Sequence, residues 1–311
     1  MVIPEGVESI GSYAFNEAKY ITSATIPSTV TSIGACAFEG CSNLSTVMSK
    51  ASKPVIQWAA FNGIASNAIL SIPPFSEDAY SYDNCLTYFD QWTSDIKMDG
   101  LYFNLDDDGD GAAWVEYPIL EKKPYGDNVV IPSAITYEGV EYPVAGIDDE
   151  AFKDAKITSI VIPDGVRYID EGAFYNCENL IFISIPKTVR SIGASAFMYC
   201  DDVETLICNV KNPFPIQGKG DEGATFSNYF FNNVPLYVPK GTIEEYRNTE
   251  GWKDFVNIVD GIPTGITEIV NNESNDEERF DVGGRRILHE QRGLNIIRNA
   301  NGSVRKVIVV K

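Results

Sequence analysis

The sequence predicts a solenoid of short parallel β-strands, wound in coils of about 23 residues. Two observations predict it. A motif of aliphatic residues, a proline and an Ala-Phe pair recurs along the chain, and Phe15, Phe38 and Phe61 follow one another at intervals of 23 residues. One such coil cannot cover its own apolar face, so neighbouring coils must stack and bury it together.

Each part of the motif has a physical role in the coil. Leu180, Ile183 and Ile185 take inward positions, and the residues between them alternate outwards, as a short strand requires. Pro186 ends that strand because it has no N–H for the ladder. The Ala-Phe pair lies on the returning arm, and we expect the ring of Phe197 to stack on the rings of neighbouring coils.

The repeats are themselves duplicated. Phe38 aligns with Phe197 at an offset of 159 residues, and several other motif positions share that offset. Further along, Tyr80 aligns with Tyr246 at an offset of 166, so the second copy carries about seven extra residues, which we place within 218–223. The aromatic segments that end each copy are expected to be closing segments that cover the ends of the arrays.

This arrangement predicts three parts of the chain. They are a first array with its closing segment (1–97), a second array with an opening hairpin and a closing segment (98–262), and a linker with a small β-rich C-terminal module (263–311). The first array lacks the opening that the second has. We therefore expect the chain to be a piece of a longer protein, truncated at its N-terminus.

The pattern Ile-Pro-x-x-Val-x-x-Ile-Gly-x-x-Ala-Phe-x-x-Cys-x-x-Leu recurs over roughly residues 1–260 and resembles the BspA-type leucine-rich repeat. Such repeats occur in surface and secreted proteins of Bacteroidetes and of some parasitic protists. The resemblance implies a leucine-rich-repeat solenoid in two tandem arrays, an extracellular or cell-surface location and adhesion, with no catalytic residue. The tail is similar to the ends of secreted Bacteroidetes proteins, type IX sorting signals included; a structural cap is the alternative.

Composition excludes several classes of function. The net charge of −20 disfavours nucleic acid as a partner. No apolar run reaches the length of about 18 residues that a transmembrane helix needs. A single histidine, His289, excludes sites that need two imidazoles, and we expect neither an enzyme nor a cofactor.

The exposed face of the strands is the predicted binding surface. Outward strand positions are small, hydroxylated or apolar and carry no charge, although the protein is strongly acidic. The competing interpretation is that such residues simply suit exposed strands. The predicted surface comprises Thr25, Met48, Ser159, Val161, Phe182, Ser184, Thr205 and Ile207.

Two further motifs were weighed as chemical sites. Asp106, Asp108 and Asp110 match the first half of a calcium loop, but position twelve is Tyr117 instead of glutamate, which favours an acidic hairpin turn. Cys41, Cys177 and Cys200 share one repeat position, and we expect buried free thiols ahead of a disulfide.

The sequence therefore leaves three functions open. The favoured one is a non-enzymatic adhesion or protein-binding module that works through the sheet face and engages a protein or glycan, possibly of host origin. The second is carbohydrate binding or an accessory role in glycan utilisation. The third is a structural spacer.

Overall fold

The computed structural model describes residues 1–80, 85–105, 111–119, 125 and 128–261, together with the backbone of several strands beyond residue 265. Asp106, Asp108 and Asp110, the candidate calcium ligands, lie outside the described residues. The chain divides into two compact units. The first is Met1–Gly111 with Ile119–Lys122, and the second is Ala112–Pro118 with Lys123–Lys311.

The first unit is built mainly from two short strands per coil. Two 3-10 helices, Glu77–Tyr80 and Leu86–Tyr88, follow the last repeat. Its strands are β1 (Ser9–Ile10), β2 (Ser23–Ile26), β3 (Ser32–Ile33), β4 (Thr46–Ser49), β5 (Val55–Ile56), β6 (Ile69–Ser71), β7 (Gln91–Thr93), β8 (Ile96–Met98) and β9 (Leu101–Leu105).

Parallel pairing joins equivalent strands of successive coils. The order β2-β4-β6-β7 forms one sheet and β1-β3-β5 a second, while β8 and β9 form an antiparallel hairpin. Ala24 pairs with Val47, and Ile33 pairs with Ile56, one repeat further on. The sequence predicted only the strand that precedes the proline; the second, shorter strand arises at the Val-x-x-Ile segment.

The Ala-Phe segment forms the third side of each coil. Phe38 donates its backbone N–H to the Ala60 carbonyl at 2.7 Å, which continues the coil-to-coil ladder. The ring centroids of Phe15 and Phe38 lie 5.1 Å apart and those of Phe38 and Phe61 5.2 Å apart, both stacked. The predicted stacking of rings from coil to coil is confirmed.

The second unit repeats this plan. It contains a helix α1 (Asn228–Asn233), a helix α2 (Ile243–Asn248) and a 3-10 helix at Trp252–Asp254. Its solenoid strands are β10 (Ala113–Glu116), β11 (Asn128–Val130), β12 (Ala134–Tyr137), β13 (Val140–Ile147), β14 (Ser159–Val161), β15 (Tyr168–Ile169), β16 (Phe182–Ile185), β17 (Ser191–Ile192), β18 (Thr205–Cys208), β19 (Leu236–Val238) and β20 (Ile258–Asp260).

Two parallel sheets again run along this unit. One has the order β11-β14-β16-β18-β19-β20; the other includes β17-β15-β13-β10, with β12 antiparallel to β13. The inward positions predicted from the motif are buried, with Leu180, Ile183 and Ile185 all at 0% exposure. The stacking of phenylalanine rings continues past residue 212, where the repeat motif stops, because Phe226 stacks on Phe197 with ring centroids 5.3 Å apart.

Aromatic residues close both arrays. Tyr80, Tyr246 and Trp252 are almost fully buried. Trp92, which follows Tyr80 at the end of the first array, is 40% exposed. It lies on β7, the last strand of its sheet, where the pairing with Leu70 covers only one side.

The tail is β-rich, as predicted. Its strands are β21 (Ile266–Ile269), β22 (Glu278–Phe280), β23 (Arg286–Ile287), β24 (Gly293–Arg298) and β25 (Val304–Val309). Strand β24 pairs antiparallel with both β22 and β25, and β21 pairs parallel with β25.

The cysteines are free and buried, in agreement with the prediction for Cys41, Cys177 and Cys200. Each of these thiols lies against a phenylalanine carbonyl of the preceding coil; Cys41 Sγ is 3.0 Å from the Phe15 carbonyl oxygen. The shared repeat position is therefore a small buried group that also contacts the neighbouring backbone.

Candidate functional site

The predicted sheet face is only partly accessible. In the first unit, Thr25 pairs with Met48; Thr25 is half-buried and Met48 is 43% exposed. In the second unit, Val161 is 36% exposed, and Ser184 and Thr205 are half-buried. These residues remain available for contact with a ligand.

Three residues of that predicted surface are buried, and the expectation that they are exposed was wrong. Ser159, Phe182 and Ile207 are exposed by 0%, 5% and 2%. The ladder places Phe182 between Ser159 and Thr205 and pairs Ile207 with Tyr237. Because paired strands lie only about 4.8 Å apart, a large ring shields the smaller side chains beside it. Outward orientation in a strand does not guarantee exposure.

A groove on the second unit is a stronger candidate site. Its volume is about 810 Å³, and it crosses successive coils at the turns that follow the strand prolines. Among the described residues that line it there is no carboxylate. We call it the basic groove, defined by the cations Arg167, Lys187, Arg190 and Lys211 and by the apolar residues Val189, Val210 and Phe214.

The turns that carry these cations are held by backbone hydrogen bonds. Val189 donates its N–H to the Pro186 carbonyl within its own turn, at 3.3 Å. Between coils, the N–H of Arg190 donates to the carbonyl of Arg167 at 2.7 Å. The two arginines therefore occupy equivalent positions of adjacent coils, about 4.8 Å apart along the stack.

A threonine fixes the spacing of the two turns further. Thr188 Oγ accepts a hydrogen bond from the Gly165 N–H at 3.1 Å and donates to the Val166 carbonyl at 2.8 Å. Gly165 has a φ of +121°, a conformation that favours glycine. The backbone beneath the cations is thus preorganised, and ligand binding would require only side-chain adjustment.

Only one of the four cations has a partner among the described ion pairs. Lys187 Nζ lies 2.8 Å from an Asp164 carboxylate oxygen, and this contact raises the pKa of Lys187. In the described part of the chain, no ion pair involves Arg167, Arg190 or Lys211. Three positive charges therefore line the groove with no carboxylate counterpart among its described residues, in a protein of net charge −20.

The first unit shows that the fold does not require these cations. At the offset of 159, Glu8 and Thr31 occupy the positions of Arg167 and Arg190. The backbone contact is the same, since the N–H of Thr31 donates to the Glu8 carbonyl at 2.8 Å. Thr29 also repeats the bridge that Thr188 makes, accepting from Gly6 and donating to Val7. The same scaffold thus carries different side chains in the two arrays.

An acidic group lies elsewhere on the second unit. Carboxylate oxygens of Asp148, Asp149 and Asp170 come within 4.8 Å of one another. Burial first, then repulsion from Asp148 and Asp149, raises the pKa of Asp170 to about 6. Asp149 accepts a hydrogen bond from the Glu171 N–H at 2.9 Å, so the group also holds two turns together.

Among the described residues, no helix is both long and apolar enough to cross a membrane.

The stacked coils, with their parallel sheets and buried aliphatic interior, define a leucine-rich-repeat solenoid protein. The model of the BspA type leucine rich repeat region matches in 6 copies, over residues 1–93 and 145–214. That is more than half of the chain, so the chain belongs to this family, whose fold is generally non-catalytic. No curated protein matches the sequence at a significant level.

The chain is also similar, at low identity, to several solved structures. A leucine-rich repeat protein from Eubacterium ventriosum is 18% identical, with 78% of this chain and 66% of that chain covered and a TM-score of 0.30. The pneumococcal vaccine antigen PcpA is 16% identical, with 84% of this chain and 73% of that chain covered and a TM-score of 0.36. A leucine rich cell surface protein from Faecalibacterium prausnitzii is 20% identical, with 78% of this chain and 64% of that chain covered and a TM-score of 0.27. The chain thus spans slightly less than two thirds of the first and third of these proteins.

The sequence prediction missed the basic groove although a signal was present. Arg167 and Arg190 are 23 residues apart, which is one repeat, and each follows a strand proline by four residues. The predicted surface comprises strand positions only, whereas these cations lie in the turn that follows the strand. Periodic cations in an acidic chain were the available signal.

Proposed function

We propose that this chain is a non-enzymatic binding protein of the cell surface or the extracellular space, and that it holds an acidic ligand in the basic groove. The observation that carries the proposal is the alignment of Arg167 and Arg190 on adjacent coils. They face a groove whose described lining includes no carboxylate, on a protein of net charge −20. Local positive charge attracts acidic groups at short range, because salt screens the rest of the protein beyond about 8 Å.

Membership of the BspA-type family and the likeness to a protein named as a cell surface protein support the location. Adhesion to host material, either protein or glycan, is part of the same proposal. Binding of glycans as an accessory to their utilisation is a more specific form of this proposal. A role as a structural spacer would not explain the cations of the groove.

The test compares adhesion of the full chain with that of a variant that makes the second array resemble the first. Fluorescently labelled protein carrying Arg167→Glu and Arg190→Thr is applied to epithelial cell layers and to their extracellular matrix. We expect retention to fall by about tenfold or more. A control with Lys240→Glu and Lys253→Thr makes the same change in net charge at exposed positions outside the groove. Equal retention of the groove variant and the wild type would contradict the proposal.

The sheet face is a second candidate surface, because Met48 and Val161 remain exposed on it. Apolar side chains at these positions would suit a protein partner better than a polar polymer. The variants Met48→Asp and Val161→Asp, tested in the same assay, separate the two surfaces. Loss of retention in these variants alone would assign binding to the sheet face.

A further inference from the structure

We infer that the ligand of the basic groove is an acidic polysaccharide, a chain of sugars with carboxylate or sulfate groups, lying along the stack of coils. This inference rests on the proposed function and names the chemical class of its ligand. The first argument is the repetition of charge. Arg167 and Arg190 occupy equivalent positions of adjacent coils, and Lys187 and Lys211 add a cation from each of two successive turns at positions that are not equivalent. A ligand with regularly spaced anionic groups matches this array better than a single small anion.

The chemistry of the cations suits carboxylates and sulfates. A guanidinium group presents a planar set of donors that can bind two oxygens of one acidic group together. Arg190 is exposed and Arg167 half-buried, so both side chains can reach a ligand without loss of a described ion pair. Each acidic sugar could therefore be held by one arginine of one coil.

The remaining lining of the groove suits sugar rings. Phe214 is half-buried and provides apolar surface for the C–H face of a ring, above a floor formed by the buried Val189 and Val210. Asn212 also lines the groove with a side-chain amide, and Asn209 adds its Oδ1 as an acceptor, since its Nδ2 already donates to Ser184 and Ile185. Together they give a surface of mixed polarity, with the charged groups supplied by the arginines and the lysines.

An extended acidic peptide is the main competing occupant, and the backbone of the groove disfavours it. A peptide that adds to a sheet needs free backbone N–H and carbonyl groups at an edge. The N–H groups of Arg167, Arg190 and Asn209 already donate to Ala145, Arg167 and Ile185. Recognition must therefore depend mainly on side chains, which favours a polymer that presents its acids and hydroxyls outwards.

Nucleic acid is disfavoured for a different reason. Single strands bind through stacking of bases on exposed aromatic rings together with many phosphate contacts. Phe214 is the only aromatic residue among the described lining, and its ring packs edge-on against Trp252 at 6.5 Å. The groove thus offers a few cations without a stacking platform.

The test measures binding of the purified full chain to defined oligomers by calorimetry. The acidic probes are oligogalacturonate and a heparin-derived oligosaccharide. Methyl-esterified oligogalacturonate is the neutral match, and polyglutamate and single-stranded DNA represent the competing polymers. We expect one or both acidic oligosaccharides to bind, the neutral ester to bind at least about tenfold more weakly, and binding to weaken with salt.

Variants then assign the site. We expect Arg167→Gln with Arg190→Gln to weaken acidic oligosaccharide binding by about tenfold or more. A control with Lys240→Gln and Lys253→Gln removes two exposed cations elsewhere and should bind within about twofold of the wild type. Unfolding curves of all variants check that they fold. The matching residues of the first unit, Glu8 and Thr31, indicate that these turns do not require arginine.

Several results would overturn the inference. One is equal affinity for the acidic and the esterified oligomer, and another is equal affinity of the groove variant and the wild type for the acidic oligomer. A third is tighter binding of polyglutamate or DNA than of the acidic oligosaccharides. Self-association of the chain that the groove variant abolishes would overturn it as well. If adhesion depends on the two arginines but no acidic oligosaccharide binds, the ligand class is wrong and the proposed binding function stands. If adhesion is also independent of them, both fail.

Discussion

Tyr246 donates a hydrogen bond from its hydroxyl group to the backbone carbonyl of Val210 at 2.7 Å. In the first array, Tyr80 makes the same bond to the carbonyl of Ala51, also at 2.7 Å. Ala51 and Val210 are 159 residues apart, whereas the tyrosines are 166 apart. The closing segments therefore dock on equivalent carbonyls despite the extra residues in the second copy. Val210 also lines the basic groove, so Tyr246 holds part of its floor.

Replacing either closing tyrosine by phenylalanine should destabilise the protein. Tyr246→Phe removes the donor to a carbonyl in the interior, and we expect a loss of about 1–3 kcal/mol in the free energy of unfolding. Tyr80→Phe should give a similar loss, since its hydroxyl also contacts Ser49. Urea denaturation measures both. Tyr20→Phe, at a position that is 85% exposed, is the control and should be neutral.

Close approach of two coils requires a glycine at position 34, within the motif repeat. A Cβ atom at Gly34 would lie 2.4 Å from the backbone nitrogen of Ser12 in the preceding coil, whereas one at Gly11 meets nothing within 4 Å. We expect Gly34→Ala to destabilise the protein by about 1–3 kcal/mol or more. Gly11→Ala should have little effect. Similar melting temperatures for the two variants would contradict the coil spacing described above.

Some coils place a non-glycine residue in the left-handed conformation. Ser195 has a φ of +55°, and in the preceding coil Gly172 occupies the same position before the Ala-Phe pair, with a φ of +61°. Ser195→Gly should therefore stabilise the protein by about 0.5–1 kcal/mol. Ser191→Gly, in strand β17, should destabilise it by about the same amount. Thermal unfolding measures the change in stability of each variant. A change in the same direction for both variants would count against this explanation.

Asp170 should make stability depend on pH in an unusual direction. Its pKa is raised to about 6, so the folded protein takes up a proton at a higher pH than the unfolded chain does. The unfavourable charge is present above pH 6 and is lost as the pH falls through 6 towards 4. Relative to Asp170→Asn, the wild type should gain about 1 kcal/mol of stability between pH 7 and 5, allowing for solvent screening. A constant difference between the two proteins would show that burial and the neighbouring carboxylates do not raise the pKa of Asp170.

The thiols should be unreactive in the folded protein. Burial raises the pKa of Cys85 to about 12 and that of Cys208 to about 11, and the six cysteines are free and buried. At pH 8 a thiol reagent should therefore label the native protein slowly and label six groups after denaturation. Mass spectrometry of the native and denatured protein counts the labels. Rapid labelling of Cys41 or Cys177 without denaturant would contradict the buried ladder.

Periodicity allowed the sequence to predict the interior of the coils. Ile185 and Phe197 are buried where the motif places them, because burial of a repeated aliphatic position depends only on contacts between neighbouring coils. The second short strand was missed, since two residues such as Ser32–Ile33 are too short to show alternation.

The candidate surface was harder to predict, because exposure depends on what lies beside each residue. Phe182 occupies an outward strand position and is nevertheless buried next to Ser159 and Thr205. The cations of the groove lie in turns. Apolar residues do not recur regularly there, so the sequence does not show which way the side chains point. Only the recurrence of Arg167 at Arg190, one repeat later, connected them in the sequence.

The most direct test of the account is a crystal structure of this protein with a bound acidic oligosaccharide. We predict acidic groups of successive sugars within hydrogen-bond distance of the guanidinium groups of Arg167 and Arg190, with a sugar ring against Phe214. An oligosaccharide bound on the sheet face near Val161, or anywhere that leaves both arginines without a contact, would contradict it.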